Sequence, residues 1–138
     1  MMTARDTFVK HIEQNISSSI PVKVFTTPQQ KLELNALNIR FLGDMQLIGR
    51  KMWELQTSLD LLVDNSNAND APERLAAKWQ EELMTALAAG RTTEVYIDSA
   101  WINGSYIAWT PIDGLRFVNI PSESYVHKHL TLKVTYFM

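Results

Sequence analysis

Residues 67–87, NANDAPERLAAKWQEELMTAL, hold the strongest helical pattern in the chain and decide its fold class. Asp70 stands where a side chain can accept hydrogen bonds from the free amides of a first helical turn, and Glu73 follows at capping-box spacing. Gly90 supplies a natural C-terminal stop. Apolar side chains recur at helical spacing along one side: Leu75, Trp79, Leu83 and Leu87. We predict an amphipathic helix at about residues 70–89 that buries this stripe.

On both sides of this helix, apolar and polar residues alternate with a period of two, which is typical of strands. From residue 53 to 63, apolar side chains occupy the odd positions and mostly polar ones the even positions, so one face is predicted buried and the other wet. Residues 37–41 alternate too, and the pair Gly43 and Asp44 then predicts a turn. The run 130–137 ends the chain in the same way. Such two-sided strands favour an antiparallel sheet over a doubly wound parallel one.

The remaining elements complete a single domain. Residues 3–17 have the spacing of an amphipathic helix, and residues 22–26 that of a short strand. Asn103 and Gly104, between β-rich flanks, predict a hairpin, and Asp113 with Gly114 predicts another turn. The whole chain, residues 1–138, is therefore expected to form one α+β domain: a mainly antiparallel sheet covered on one face by the N-terminal and central helices.

Composition and motifs narrow the function. The 138 residues suit one domain, and the absence of cysteine excludes disulfides and thiolate ligands. Thirteen basic and 15 acidic residues give no general attraction to nucleic acid or to anionic membranes, and no apolar run resembles a signal peptide or a membrane span. No phosphate-binding loop or nucleophile elbow is present. We expect no enzyme activity, no catalytic residues, no cofactor, no specific nucleic-acid binding and no membrane association.

Two histidines are the only local metal-like pattern. His127 and His129 lie two apart on a predicted strand, so both imidazoles can point to one side. A third ligand is missing from the local sequence, since His11 is distant and Glu123 is unplaced. A solvated strand face is the preferred interpretation, and no metal site is expected.

The aromatic and basic side chains indicate a protein interface. Three aromatics cluster around the predicted hairpin, where they either pack in the core or anchor a partner, because Trp and Tyr are enriched at interface hot spots. A small basic patch is predicted across the turn at Gly43; its role is either solubility or ion pairs with a neighbouring subunit. The predicted interface residues are Trp101, Tyr106, Trp109, Arg40, Arg50 and Lys51.

The order of elements resembles that of the tail-terminator and neck proteins of tailed bacteriophages. The resemblance rests on an N-terminal helix, a short strand, the strands LNIRFLGD and MWELQTSLDLLVD, the helix DAPERLAAKWQEELMTAL, a hairpin and the final strand HLTLKVTYFM. It implies a structural virion protein of the tail–neck region, assembled in the cytoplasm of a bacterial host. Such a subunit commonly forms a hexameric ring that caps the finished tail tube and docks the head connector. DNA passes through the lumen, and we expect the acidic residues Asp60 and Asp64 to line it.

Two alternatives remain open. A head-side neck or head–tail joining protein shares the same size, charge and element order. The other alternative is a small-ligand-binding or enzymatic α+β domain, whose pocket is lined by Trp53, Trp79 and Trp109 with His127 or His129 as its polar element.

Overall fold

The computed structural model describes residues 4–25, 31–46, 52–64, 71–88, 107–111, 117–122 and 124–137. Within them lie two helices and six strands. In chain order these are α1 (Ala4–Asn15), β1 (Val22–Phe25), β2 (Ala36–Gln46), β3 (Met52–Asp64), α2 (Ala71–Ala88), β4 (Ile107–Pro111), β5 (Val118–Ile120) and β6 (Tyr125–Phe137). The α+β fold class is confirmed, and both helices begin and end within two residues of their predicted limits. No described helix has the length and apolar character needed to cross a membrane.

The six strands form one mixed sheet in the order β1-β2-β3-β6-β4, and β5 pairs with a different stretch of β6 from β4. The pair β1–β2 is parallel, and the other four pairs are antiparallel. Strand β6 is last in the chain but central in the sheet. It pairs with β3 along all 13 residues of each strand. This long pairing joins the middle of the chain to its last strand.

The hydrophobic core lies between the helices and one face of the sheet. Helix α2 packs against β3 and β6, and α1 packs against α2. Alternate residues of the strands point into this core because side chains on a strand alternate between faces. Its largest fully buried side chains are Phe8, Ile12, Leu37, Ile39, Leu55, Leu59, Leu61, Leu83, Leu87 and Leu132.

The turn predicted at Gly43 and Asp44 is not observed. Both residues stay in the strand, opposite Gln56 and Leu55 of β3. Pairing shifts by one between Phe41 and Gly43, so Leu42 is the extra residue of a β-bulge. A bulge absorbs one residue and bends the strand without ending the ladder. The turn prediction was wrong because a glycine beside an aspartate is a signal that bulges and turns share.

The prediction that one face of β3 is exposed to water was wrong. Every residue from Thr57 to Val63 is buried, including Ser58, Asp60 and Leu62 on the face turned away from the helices. Asn38 of β2, opposite Asp60, is fully buried as well. The alternation of polar and apolar residues is real, but polar residues on neighbouring strands bury one another by hydrogen bonding. The predicted cap at Asp70 and the predicted turns at residues 103–104 and 113–114 lie outside the described residues.

Candidate functional site

A cluster of polar side chains is buried on the sheet face opposite the helices. It consists of Asp60 and Ser58 of β3, Arg40 of β2, and His127 and His129 of β6, and we call it the Asp60 cluster. His129 stands directly opposite Asp60 in the register, and Arg40 stands opposite Ser58. Leu59 and Leu61 on either side of Asp60 enter the helix-facing core, so strand alternation turns Asp60 to the other face.

Both carboxylate oxygens of Asp60 are fully used. Oδ1 lies 2.6 Å from Nε2 of His127 and 2.8 Å from Nδ1 of His129. Oδ2 accepts hydrogen bonds from Oγ of Ser58 at 2.8 Å and from Nη2 of Arg40 at 3.0 Å. The Asp60 side chain has 0% exposure. A carboxylate can be buried at low cost only when its oxygens are paired in this way.

The two imidazoles form the outer side of the cluster. The His127 side chain is 12% exposed and that of His129 27% exposed. His129 is held at both nitrogens, since its Nε2 lies 2.9 Å from Oγ1 of Thr131. His127 also lines an open cavity of about 200 Å³ whose wall includes Glu73 and Tyr125. Among the described residues, solvent reaches the cluster beside these partly exposed rings and beside Arg40, whose side chain is 24% exposed.

The surroundings of Asp60 keep it ionised. Burial by itself raises the pKa of the Asp60 carboxyl, but hydrogen bonds from His127, His129 and Ser58 outweigh burial and hold the pKa well below its ordinary range. The carboxylate is thus charged at neutral pH. The guanidinium of Arg40, half-buried beside it, forms the corresponding ion pair.

The arrangement has the donor set of a metal centre. One ligand-type atom from each of Asp60, His127 and His129 lies within 4.8 Å of the others. The sequence identified the histidine pair but not the third member, which is 67 residues away from His127. A usable signal was present: Asp60 is a lone charge inside the apolar run LDLLV, where a buried acid needs partners from another strand.

Of the predicted basic patch, the structure describes Arg40. Arg40 belongs to the Asp60 cluster, and β2 continues past Gly43 without the predicted turn. Arg50 and Lys51 lie outside the described residues. The interface role of these two residues stays a prediction.

The two residues predicted to line a lumen, Asp60 and Asp64, differ in their exposure to solvent. The prediction that Asp60 lines a lumen was wrong as to exposure, since its side chain is buried among the histidines. Asp64 is half-buried at the end of β3, where its backbone N–H donates to Oδ1 of Asn35. Its position in a lumen stays a prediction.

The aromatic residues are placed only in part. Trp109 lies in β4 opposite Val134, while Trp101 and Tyr106 lie outside the described residues. The pocket predicted to join Trp79 with a histidine is not formed, because Trp79 packs in the helix-facing core and the histidines point to the other face. The interface role of the hairpin aromatics stays a prediction.

A second surface stands out at the end of β2. Residues 42–46 are all exposed although residues 43–46 pair with β3, and they include Leu42 at 41% and Met45 at 53% exposure. The 13 residues of β3 or β6 span about 43 Å, whereas the 18 residues of α2 span about 27 Å. The sheet is therefore longer than the helix that packs on it. We call residues 42–46 the β2 extension.

A scan of the sequence against models of protein families finds no match, and a search of curated proteins finds none.

Proposed function

We propose that this protein is a structural subunit of a tailed bacteriophage: a tail terminator that closes as a ring, commonly of six copies, on the finished tail tube. In this role one face of the ring covers the surface on which the tube grows. The opposite face is the docking surface for the head connector. The activity is thus geometric, and no bond is made or broken.

The observation that supports this proposal is the exposed apolar surface of the β2 extension. Leu42 and Met45 are exposed on strand β2, where Met45 pairs with Glu54 of β3 and Leu42 is the bulge residue between two paired positions. Large apolar side chains fixed on a rigid scaffold are typical anchors of protein interfaces, because little conformational entropy is lost when they are covered. Repeated head-to-tail contacts between such a surface and another part of the neighbouring copy close into a ring.

The edge strand β1 supplies a further surface for neighbours. Its central Val24 is exposed, and one side of the strand pairs with β2. Exposed strand edges pair readily with other chains, so proteins cover them in their functional assembly. In the proposed ring, Asp64 contributes to a lumen that lets DNA pass without binding it, and the net charge of −2 agrees with that behaviour.

Assembly tests the proposal. The full chain is measured by light scattering and negative-stain electron microscopy, alone and with polymerised tail tube protein of the same virus. We expect rings, either free or on tube ends, and tubes that stop growing once a ring is added. The variants Leu42→Lys and Met45→Lys place a charge in the proposed interface and should leave monomers.

Leu75→Lys is the matched control, since Leu75 is 38% exposed but lies on α2, away from the β2 extension. It should assemble like the wild type. Wild-type protein that stays monomeric and ignores tube ends would contradict the proposal, as would intact rings in both β2 variants. Co-purification with filled heads instead of tails would assign the head-side neck role.

A further inference from the structure

We propose that Asp60, His127 and His129 form a binding site for one divalent transition-metal ion of the zinc type. The proposal is independent of the ring: it concerns the free chain and is carried by the geometry of the Asp60 cluster alone.

The three side chains offer a suitable donor set at a suitable distance. Two imidazole nitrogens and one carboxylate oxygen lie within 4.8 Å of one another. In a tetrahedral zinc site with bonds of about 2.0–2.2 Å, neighbouring ligand atoms lie about 3.3–3.6 Å apart. Oδ1 now lies 2.6 and 2.8 Å from the two nitrogens. Movements of about 1 Å, within the reach of side-chain torsions, therefore open space for an ion between them.

Two of the three ligands, Asp60 and His129, have a neighbour that fixes their orientation. Ser58 and Arg40 bind Oδ2 of Asp60 and leave Oδ1 for the ion. Oγ1 of Thr131 lies 2.9 Å from Nε2 of His129, where it can accept a hydrogen bond from the Nε2–H that this ring carries once Nδ1 binds a metal. Such outer contacts set the tautomer and the basicity of metal ligands. The ligands stand on two strands paired over 13 residues, so the site is largely formed before the ion arrives.

The same surroundings decide which ion fits. Mg²⁺ and Ca²⁺ need several oxygen ligands, whereas this site has one carboxylate, and Arg40 already offsets part of its charge. Imidazole binds Zn²⁺, Co²⁺, Ni²⁺ and Cu²⁺ well. Three protein ligands leave the fourth tetrahedral position for water, which can enter beside the partly exposed rings of His127 and His129.

Metal binding to the full chain tests the site. The protein is stripped with EDTA, dialysed and titrated with ZnCl₂ at neutral pH by calorimetry, and the bound metal is counted by mass spectrometry. We expect one ion per chain. His127→Gln and His129→Gln each remove a ligand and should weaken binding by about 100-fold or more, beyond the range of about 10–100-fold seen when an outer contact is lost.

His11→Gln is the matched control. His11 lies on α1, where Nε2–H donates to the carbonyl of Ala86 at 3.0 Å, far from the cluster in the fold. Its removal should leave zinc affinity unchanged. If circular dichroism shows that a cluster variant is unfolded, NMR spectra of the wild-type protein test the site instead. Zinc should shift the ring ¹⁵N signals of His127 and His129 and not those of His11.

Two results would overturn the site. One is no saturable zinc uptake by stripped wild-type protein, together with unchanged histidine signals. The other is uptake that both cluster variants retain in full. Because the measurement uses the free chain, its failure is distinct from a failure to form rings.

Discussion

At the scale of single residues, buried polar side chains decide how this sheet is held together. Asn38 is fully buried and uses both ends of its amide: Oδ1 accepts from the N–H of Glu33, and Nδ2 donates to the carbonyl oxygens of Glu33 and Asp60. It thereby joins the segment before β2 to the central strand. Asp60 makes the corresponding connection from β3 to β6. On this face of the sheet, hydrogen bonds between polar side chains connect the strands, whereas on the other face apolar packing does so.

The first prediction concerns Asp60 and acid. Its pKa is lowered in the folded protein, so its contribution to stability is complete above its ordinary pKa and is lost as the pH falls from there toward the folded value. The free energy of unfolding should therefore decline below about pH 5 in the wild type. Asp60→Asn should flatten this decline, as measured by urea unfolding across the acid range.

The same variant should be less stable at neutral pH. Asp60→Asn leaves Arg40 and the histidines without their anion. The cost should be about 2 kcal/mol or more, below the about 3–5 kcal/mol of a fully buried pair, because Arg40 and His129 are partly exposed. Glu13→Gln, which removes an exposed carboxyl on α1, is the control for the loss of one negative charge. Parallel pH curves for wild type and Asp60→Asn would argue against an ionised, buried carboxylate.

At the scale of elements, β2 has two halves with different surroundings. Its first half, Ala36 to Phe41, is buried apart from the half-buried Arg40, and its second half is exposed. The bulge at Leu42 separates the two. A bulge increases local twist and bends the strand, so it is a natural boundary between the part that packs on the helices and the part that extends past them.

The second prediction tests this bulge through Gly43. A Cβ added at Gly43 would meet no atom within 4 Å, and the φ angle of Gly43 is outside the left-handed region. Gly43→Ala should therefore be stabilising by about 0.4–1 kcal/mol, because alanine restricts the unfolded chain more than glycine does. Thermal and urea unfolding measure the change. A loss of more than about 1 kcal/mol would instead indicate a backbone conformation that only glycine adopts.

At the scale of the whole molecule, the two faces of the sheet serve different purposes. One face packs against α1 and α2 in a continuous apolar core, and the other buries the polar Asp60 cluster. The β2 extension lies beyond both. This separation means that the proposed assembly surface and the proposed metal site can be tested independently by substitution.

The third prediction concerns the forces in the proposed ring. If Leu42 and Met45 anchor the contacts, assembly rests mainly on apolar burial, which salt does not screen. Light scattering at rising NaCl concentration, up to about 1 M where the Debye length is about 3 Å, should show an unchanged mass. Dissociation of the ring at high salt would indicate ion pairs as the main contacts and would count against the β2 extension as the anchor.

The local elements of this protein can be predicted from its residue pattern. Apolar residues recur with a period of 3.6 in residues 70–89 and with a period of two in residues 53–63. These periods show which side chains share one face of a helix or strand, so they can be read from the local sequence. Both predicted helices, the strands β1, β3 and β6, and the α+β class follow from it. The bulge at Leu42 did not, because its cause is pairing with β3, which lies on another part of the chain.

The Asp60 cluster, by contrast, depends on strand pairing between distant parts of the chain. His127 and His129 were visible as a pair, but their partner Asp60 is set by the register of β6 against β3, across 67 residues of sequence. That register also turned a strand face that was expected to be wet into a buried one. The physical reason is that a polar side chain is solvated or buried according to the hydrogen-bond partners that reach it, and those partners come from distant strands.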